Sequence, residues 1–356
     1  MSETQTYSYR LMKFGEPLVL SAKAVAQPDG RAVLLRTRRC GVCHSDLHLA
    51  EGYYDLGGGK RLELADRNIK PPLIMGHEIV GELVAAGPDA DLSGLTYGTS
   101  YLVLPWIGCG ACPNCLRGKE NLCLSSGAIG VVRDGGYGDY VLVPDARYLL
   151  DIEGLDLAAA ATLACAGLTA YSAIKKIEAG KEDWLALLGM GGLGTAALLI
   201  ARALGYENII GIDLDDKKLE MALAQGAKAV FNARDPALSA KLQALTGGIM
   251  SSIDFVGSQA SASMGIGLLA RGGKFVIVGL FGGDITLSLP TLPIRAITIS
   301  GSYVGNLDEL KELVALAKSG KIGDIPTQLI RPDQINAAHD LLRSGQAHAR
   351  QVIAYD

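Results

Sequence analysis

From about residue 168 to 300 the chain alternates short apolar runs with helical stretches, and no other feature limits its fold so strongly. Strands are predicted over 184–188, 208–212, 229–232, 252–256, 274–278 and 296–300. Between them, segments such as 193–204 and 217–225 repeat apolar residues at helical spacing. Strands that are apolar along their length and separated by helices belong to a parallel sheet covered on both faces. Six of them fit the arrangement that binds dinucleotides. The predicted class is α/β, with a doubly wound Rossmann sheet over 168–300.

Gly189-Met-Gly191-Gly192-Leu-Gly194 follows the first of these strands and opens a helix. In that context the glycines let the backbone approach a pyrophosphate, which rests on the helix N-terminus. Asp213 ends the second predicted strand, nineteen residues beyond Gly194. Its carboxylate is expected to hold the adenosine ribose hydroxyls and to repel the extra phosphate of NADP. Like charges about 4 Å apart repel by roughly 4 kcal/mol at an effective dielectric of about 20, so the expected cofactor is NAD. Lys218 is expected over the same ribose.

The first ~165 residues have another texture, with short strand-like pieces over 32–37, 79–86, 101–104 and 138–143, broken by Gly, Pro and Cys turns. They predict an irregular, mainly antiparallel β domain over 1–167. The tail, 301–356, resumes helix at 308–318 and 334–344, ends on a strand at 351–354, and is expected to return to that first domain. At 356 residues two domains are natural. A net charge of -4 without a basic patch gives no footprint for nucleic acid or an anionic membrane. The polar start, 1–10, lacks an export signal pattern, so a cytoplasmic location is expected. Two long weakly charged stretches, 157–174 and 184–201, match a membrane span in length. Their Ala, Gly and Thr content fits a buried helix and a buried strand-turn-helix better.

Seven cysteines in such a chain indicate thiolate ligands or free thiols. Cys109, Cys112, Cys115 and Cys123 stand two, two and seven residues apart. Two-residue gaps let successive thiolates face one point, and the longer excursion returns a fourth to complete a tetrahedron. Zinc in an all-sulfur cage is closed to substrate, so the lobe over 105–125 is structural. A nucleic-acid zinc ribbon would bring basic and exposed aromatic residues, whereas this segment has only Arg117 and Lys119 as cations.

A second constellation is Cys40-Gly-Val-Cys43-His44-Ser45-Asp46-Leu-His48, then Gly76-His77-Glu78, then Cys165 in Leu-Ala-Cys-Ala-Gly-Leu-Thr. A catalytic zinc needs three protein ligands and an open position. One of Cys40 or Cys43, with His77 and Cys165, would supply them. These motifs, the four-cysteine lobe, the glycine turn and Gly301-Ser-Tyr-Val-Gly-Asn306 occur in one order, and over essentially the whole chain it resembles the medium-chain zinc alcohol dehydrogenases. The resemblance implies a GroES-like first domain and NAD-dependent, reversible oxidation of a primary or secondary alcohol to an aldehyde or ketone. It implies two zincs per subunit, with Cys43, His77 and Cys165 on the catalytic one, and leaves Cys40 as a small buried residue. It further implies that Asp46 supports His77, that Glu78 stands beside the metal as a transient ligand, and that Ser45 begins a proton relay ending at His48. His44 and Arg350 would contact the pyrophosphate, and family precedent points to a homodimer or homotetramer.

A polyol dehydrogenase of this fold usually has a carboxylate where Cys165 stands, and a zinc-free quinone or enoyl reductase would lack Cys43 and His77. A non-catalytic zinc-binding module would not explain the nucleotide fingerprint. Tyr54 and Trp106 are expected to line an apolar substrate channel. Between Tyr54 and Pro71 lies a segment with three successive glycines and mixed charges, which reads as a mobile loop capping the pocket or joining subunits.

Overall fold

The computed structural model describes residues 5–177, 179–323 and 325–355. Six parallel strands form one sheet in the order Ala229–Asn232, Ile209–Asp213, Leu185–Leu188, Ile249–Asp254, Leu269–Ile277 and Thr298–Gly301. This is the doubly wound order, whose reversal lies beside the first strand. That strand is buried along its whole length, so each leucine contributes about 1.5–3 kcal/mol of burial. Helices Gly192–Ala203, Asp216–Ala224, Leu238–Thr246 and Gln259–Gly267 occupy the connections.

A second, mainly antiparallel sheet of seven strands is centred on Glu78–Ala86 and Val33–Gly41. The terminal strand Arg350–Ala354 continues it, placing Ile353 opposite Cys40. The two sheets are linked through a continuous helical stretch, Leu157–Thr162, Leu163–Gly167 and Leu168–Ile174. Its 157–174 span is apolar and long enough to cross a membrane, but 89% of it is buried inside the fold, as a core helix would be. The 184–201 stretch is the strand, glycine turn and helix of the parallel sheet.

The segment after Tyr54, read from its glycines as a mobile loop, contains a short hairpin. Tyr53–Asp55 pairs with Arg61–Glu63, and a 3-10 turn, Leu64–Arg67, follows. Gly57, Gly58 and Gly59 form the bend at φ +79°, +56° and +75°, a left-handed run that side chains resist. The bend lies against the parallel-sheet domain: a Cβ on Gly57 would stand 2.7 Å from the Asp284 nitrogen. Gly57→Ala should therefore lift the hairpin off 283–284. Amide exchange over 53–63 should accelerate by about tenfold or more, with little change in melting temperature. Exchange at the wild-type rate would contradict this packing.

Candidate active site

Sheet register brings the second constellation together. Gly41 pairs with Glu78, so the end of one strand and the start of its neighbour deliver Cys43 and His77 side by side. Cys43 stands at the N-cap of helix His44–Glu51. Cys165 arrives from the helical stretch, within a π-helical turn, Leu163–Gly167, that re-aims its side chain. The donor atoms of Cys43, His77 and Cys165 all lie within 4.8 Å of one another, and all three residues are buried. The two sulfurs are 3.9 Å apart. Two thiolates on one tetrahedral zinc at ~2.3 Å would be ~3.8 Å apart. Neither ring nitrogen of His77 meets a hydrogen-bond partner in good geometry among the described residues; Nδ1 has Asp46 Oδ1 at 3.2 Å, and Nε2 is left for a metal to satisfy. The donor set therefore fits zinc.

The electrostatics match. Hydrogen bonding from Cys165 pulls the Cys43 thiol well below its ordinary range, aided by Arg350 and His77 against the opposing effect of burial. The same bond, with burial, raises Cys165. Asp46 sits behind His77, with Oδ1 3.2 Å from Nδ1. Its Oδ2 accepts from the Cys43 N–H at 2.8 Å and from the Tyr137 hydroxyl at 2.6 Å. Burial and the Asp46 charge raise the Tyr137 phenol well above its usual value, so it remains a donor. Sequence reasoning missed Tyr137. Its signal was the run Gly135-Gly136-Tyr137-Gly138, where small residues let the chain pass close to Gly76.

Glu78, next to His77 in the chain, is not one of the three clustered donors. Its carboxylate forms a buried fork with Arg350, with Nε to Oε2 at 2.9 Å and Nη2 to Oε1, and also accepts from the Ala166 N–H at 3.2 Å. Cys40 is fully buried, with its sulfur 3.8 Å from the Gly41 carbonyl and outside the donor cluster. Ser45 Oγ is 3.7 Å from the Cys43 sulfur. The His48 ring lies 5.6 Å from His44 and 5.2 Å from Tyr54. Burial and the His44 charge lower the His48 pKa, favouring a neutral imidazole able to accept a proton. Trp106 packs 5.3 Å from His77, its indole N–H donating to the Ala164 carbonyl at 3.0 Å. Tyr303 faces Trp106 at 6.2 Å, an aromatic wall whose role sequence reasoning did not assign.

The four-cysteine lobe is assembled as its spacing requires. Cys112 lies 3.5 Å from Cys115 and 3.8 Å from Cys123, and Cys109 lies 3.9 Å from Cys115, sulfur to sulfur. Backbone N–H groups of Ala111 and Cys112 bring the Cys109 thiol down to about 6, which favours the thiolate that a metal binds.

Beside the glycine turn, a cleft is lined by Gly191, Gly192, Thr195, Lys218, His348 and Arg350. Gly194 must be glycine, since a Cβ there would meet the Gly189 carbonyl oxygen at 1.9 Å. The N-terminus of helix Gly192–Ala203, with its positive dipole end, opens at this cleft, and Lys218 and Arg350 line it. Asp213 closes the turn, its Oδ2 accepting from the Met190 N–H at 2.6 Å and its Oδ1 from Leu214 and Asp215. It thus braces the fingerprint. Asp213→Ser should narrow the NAD/NADP ratio of kcat/KM and raise the KM for NAD by about tenfold or more. An unchanged ratio would remove Asp213 from cofactor selection.

Residues 29–153 match the family model of the alcohol dehydrogenase GroES-like domain, and residues 192–319 that of the zinc-binding dehydrogenases. The chain is 36% identical over 347 residues to the NAD-dependent alcohol dehydrogenase of Sulfurisphaera tokodaii, covering 97% of this chain and 98% of that one. It superposes on the crystal structure of the alcohol dehydrogenase of Aeropyrum pernix with a TM-score of 0.87 at 30% identity, over 98% of this chain and all of the other. The acetophenone reductase of Geotrichum candidum, solved in complex with NAD, gives a TM-score of 0.85 at 27% identity, over 100% and 98%.

Proposed function

This chain belongs to the medium-chain zinc alcohol dehydrogenases and interconverts alcohols and carbonyl compounds with NAD, and within that activity we propose that Cys43, His77 and Cys165 form its catalytic centre. The observation that carries this reading is the unpartnered His77 Nε2 beside two buried sulfurs. Zinc on these three groups keeps a fourth position for a substrate oxygen, acidifies a hydroxyl there and polarises a carbonyl. The lobe cysteines Cys109, Cys112, Cys115 and Cys123 hold the second, closed zinc.

The chain's own groups divide the remaining work. Asp46, oriented by Tyr137, keeps the His77 proton on Nδ1 and leaves Nε2 as a lone-pair donor. Ser45 begins the proton path and neutral His48 ends it. Arg350, His44 and the helix N-terminus after Gly189, Gly191, Gly192 and Gly194 take the pyrophosphate, and Asp213 and Lys218 take the ribose. Glu78 holds Arg350 in place for that task.

Tyr54, Trp106 and Tyr303 wall an apolar pocket, which points to apolar primary and secondary alcohols, aromatic ones included. The Geotrichum enzyme is named for acetophenone, the ketone that corresponds to an aromatic secondary alcohol. The edge strand Thr298–Gly301 and exposed Leu289 and Ile294 offer the surface for a homo-oligomer, dimer or tetramer. Cysteines engaged as six metal donors and one buried thiol, with no disulfide among the described residues, agree with a reducing, cytoplasmic location.

An NAD-coupled panel of aliphatic, benzylic and secondary alcohols against sugars and polyols tests the substrate class. The expected outcome is a higher kcat/KM for the apolar set, and preference for polyols would overturn it. His48 makes a pH prediction. It accepts a proton only when neutral, so wild-type oxidation should rise as pH climbs through a pKa below the ordinary 6.5. In His48→Gln that limb should vanish and kcat fall about tenfold or more, with partial rescue by free imidazole. A wild-type profile in the variant would exclude His48 from the relay.

A further inference from the structure

The four-cysteine lobe touches more than its own metal cage. Asn121, two residues before Cys123 in the turn Glu120–Leu122, donates from Nδ2 to the Tyr303 carbonyl at 2.9 Å. We propose that Asn121 is a positioning residue for the substrate pocket: it ties the lobe to Tyr303 and so holds the Tyr303 ring against Trp106. This rests on the pocket assigned above.

Three independent features converge on this tie. The first is strain. Val304, the next residue, has φ +39°, a left-handed backbone that a β-branched side chain strongly disfavours. Such a conformation persists only where its surroundings over-determine it. The second is how the segment is held. Ser302 donates its N–H to the Ile277 carbonyl at 2.8 Å and accepts from Lys176 Nζ at 2.7 Å. At the other end Asn306 and Glu309 bond reciprocally, at 2.9 and 3.0 Å, to cap helix Leu307–Lys318. Both flanks are pinned, and Asn121 holds the carbonyl between them.

The third is that the donor itself is fixed. Its neighbour Glu120 accepts from the Gly108 N–H at 3.0 Å, from the Tyr148 hydroxyl at 2.7 Å and from Arg147 at 3.1 Å. With Cys115 and Cys123 on either side, the amide of Asn121 has a rigid base. From there the line runs through Tyr303 to Trp106, whose indole is locked on Ala164 and packs on His77. A closed metal lobe at the surface thereby sets the width of a pocket at the reactive centre. The reaction does not change with that width, but which alcohols fit does.

The test uses the zinc-loaded, full-length enzyme and its Asn121→Ala and Asn121→Asp variants. KM and kcat are measured for 1-phenylethanol and for ethanol, with the KM for NAD, zinc per chain, and acrylamide quenching of Trp106 in a Trp184→Phe background. Both variants should raise the KM for 1-phenylethanol about five- to tenfold, the scale of one lost hydrogen bond. Ethanol KM, both kcat values and NAD KM should stay within about twofold, two zincs should remain, and Trp106 should become easier to quench. Unchanged 1-phenylethanol KM and quenching in both variants would overturn the proposal, as would a KM rise that only tracks zinc lost from the lobe. Trp106→Ala, run in parallel, separates the two readings. If it leaves the 1-phenylethanol to ethanol ratio unchanged, the pocket itself is misassigned. If it shifts that ratio while the Asn121 variants do not, only the positioning role fails.

Discussion

Two sulfurs and an imidazole are held within 4.8 Å of one another and shut away from solvent, and the rest of the molecule is arranged around that constraint. Buried polar groups without partners destabilise a fold by about 1–3 kcal/mol each, so the cluster stands only because something satisfies it. Part of the answer is the protein's own. Asp46 faces one nitrogen of His77, and its other oxygen is anchored by Tyr137 and the Cys43 N–H. The remaining nitrogen and the sulfurs point at one another, as metal donors do. Nearby, Glu78 and Arg350 pair two further buried charges in a fork.

The same constraint explains the division into two sheets. Hydride transfer needs the donors and the nicotinamide in one dry place, yet the cofactor must enter and leave. The rigid parallel sheet presents the glycine turn, the second sheet presents the donors, and Arg350 from the terminal strand reaches toward both. The Tyr53–Glu63 hairpin also reaches across to 283–284, while buried apolar residues of both sheets join in one continuous core.

Much of this was legible in the chain because its signals are local. Apolar strands alternating with helices specify the doubly wound sheet, and strand Ala229–Asn232 has the limits its pattern predicts. The lobe cysteines are close in sequence and meet in space. Features that depend on distant partners were not legible. Strand Leu269–Ile277 begins earlier than the expected 274 because Leu269 already pairs with Ile249, ahead of a register shift after which pairing resumes at Lys274. The π-helical turn at Cys165 lies in a helix apolar on every side, where periodicity carries no information. Residues 55–63 looked like a loose loop, since three glycines announce conformational freedom but not the surface that uses it. Tyr137 on Asp46, and Arg350 on Glu78, join residues 91 and 272 positions apart.

The most direct measurement is an anomalous difference map from a crystal of the zinc-loaded enzyme, collected on both sides of the zinc edge. The account predicts two peaks per chain, one inside the four-cysteine lobe and one bonded to Cys43, His77 and Cys165 with a further position open. A lobe peak alone, or a second peak that omits Cys43 or Cys165, would contradict it.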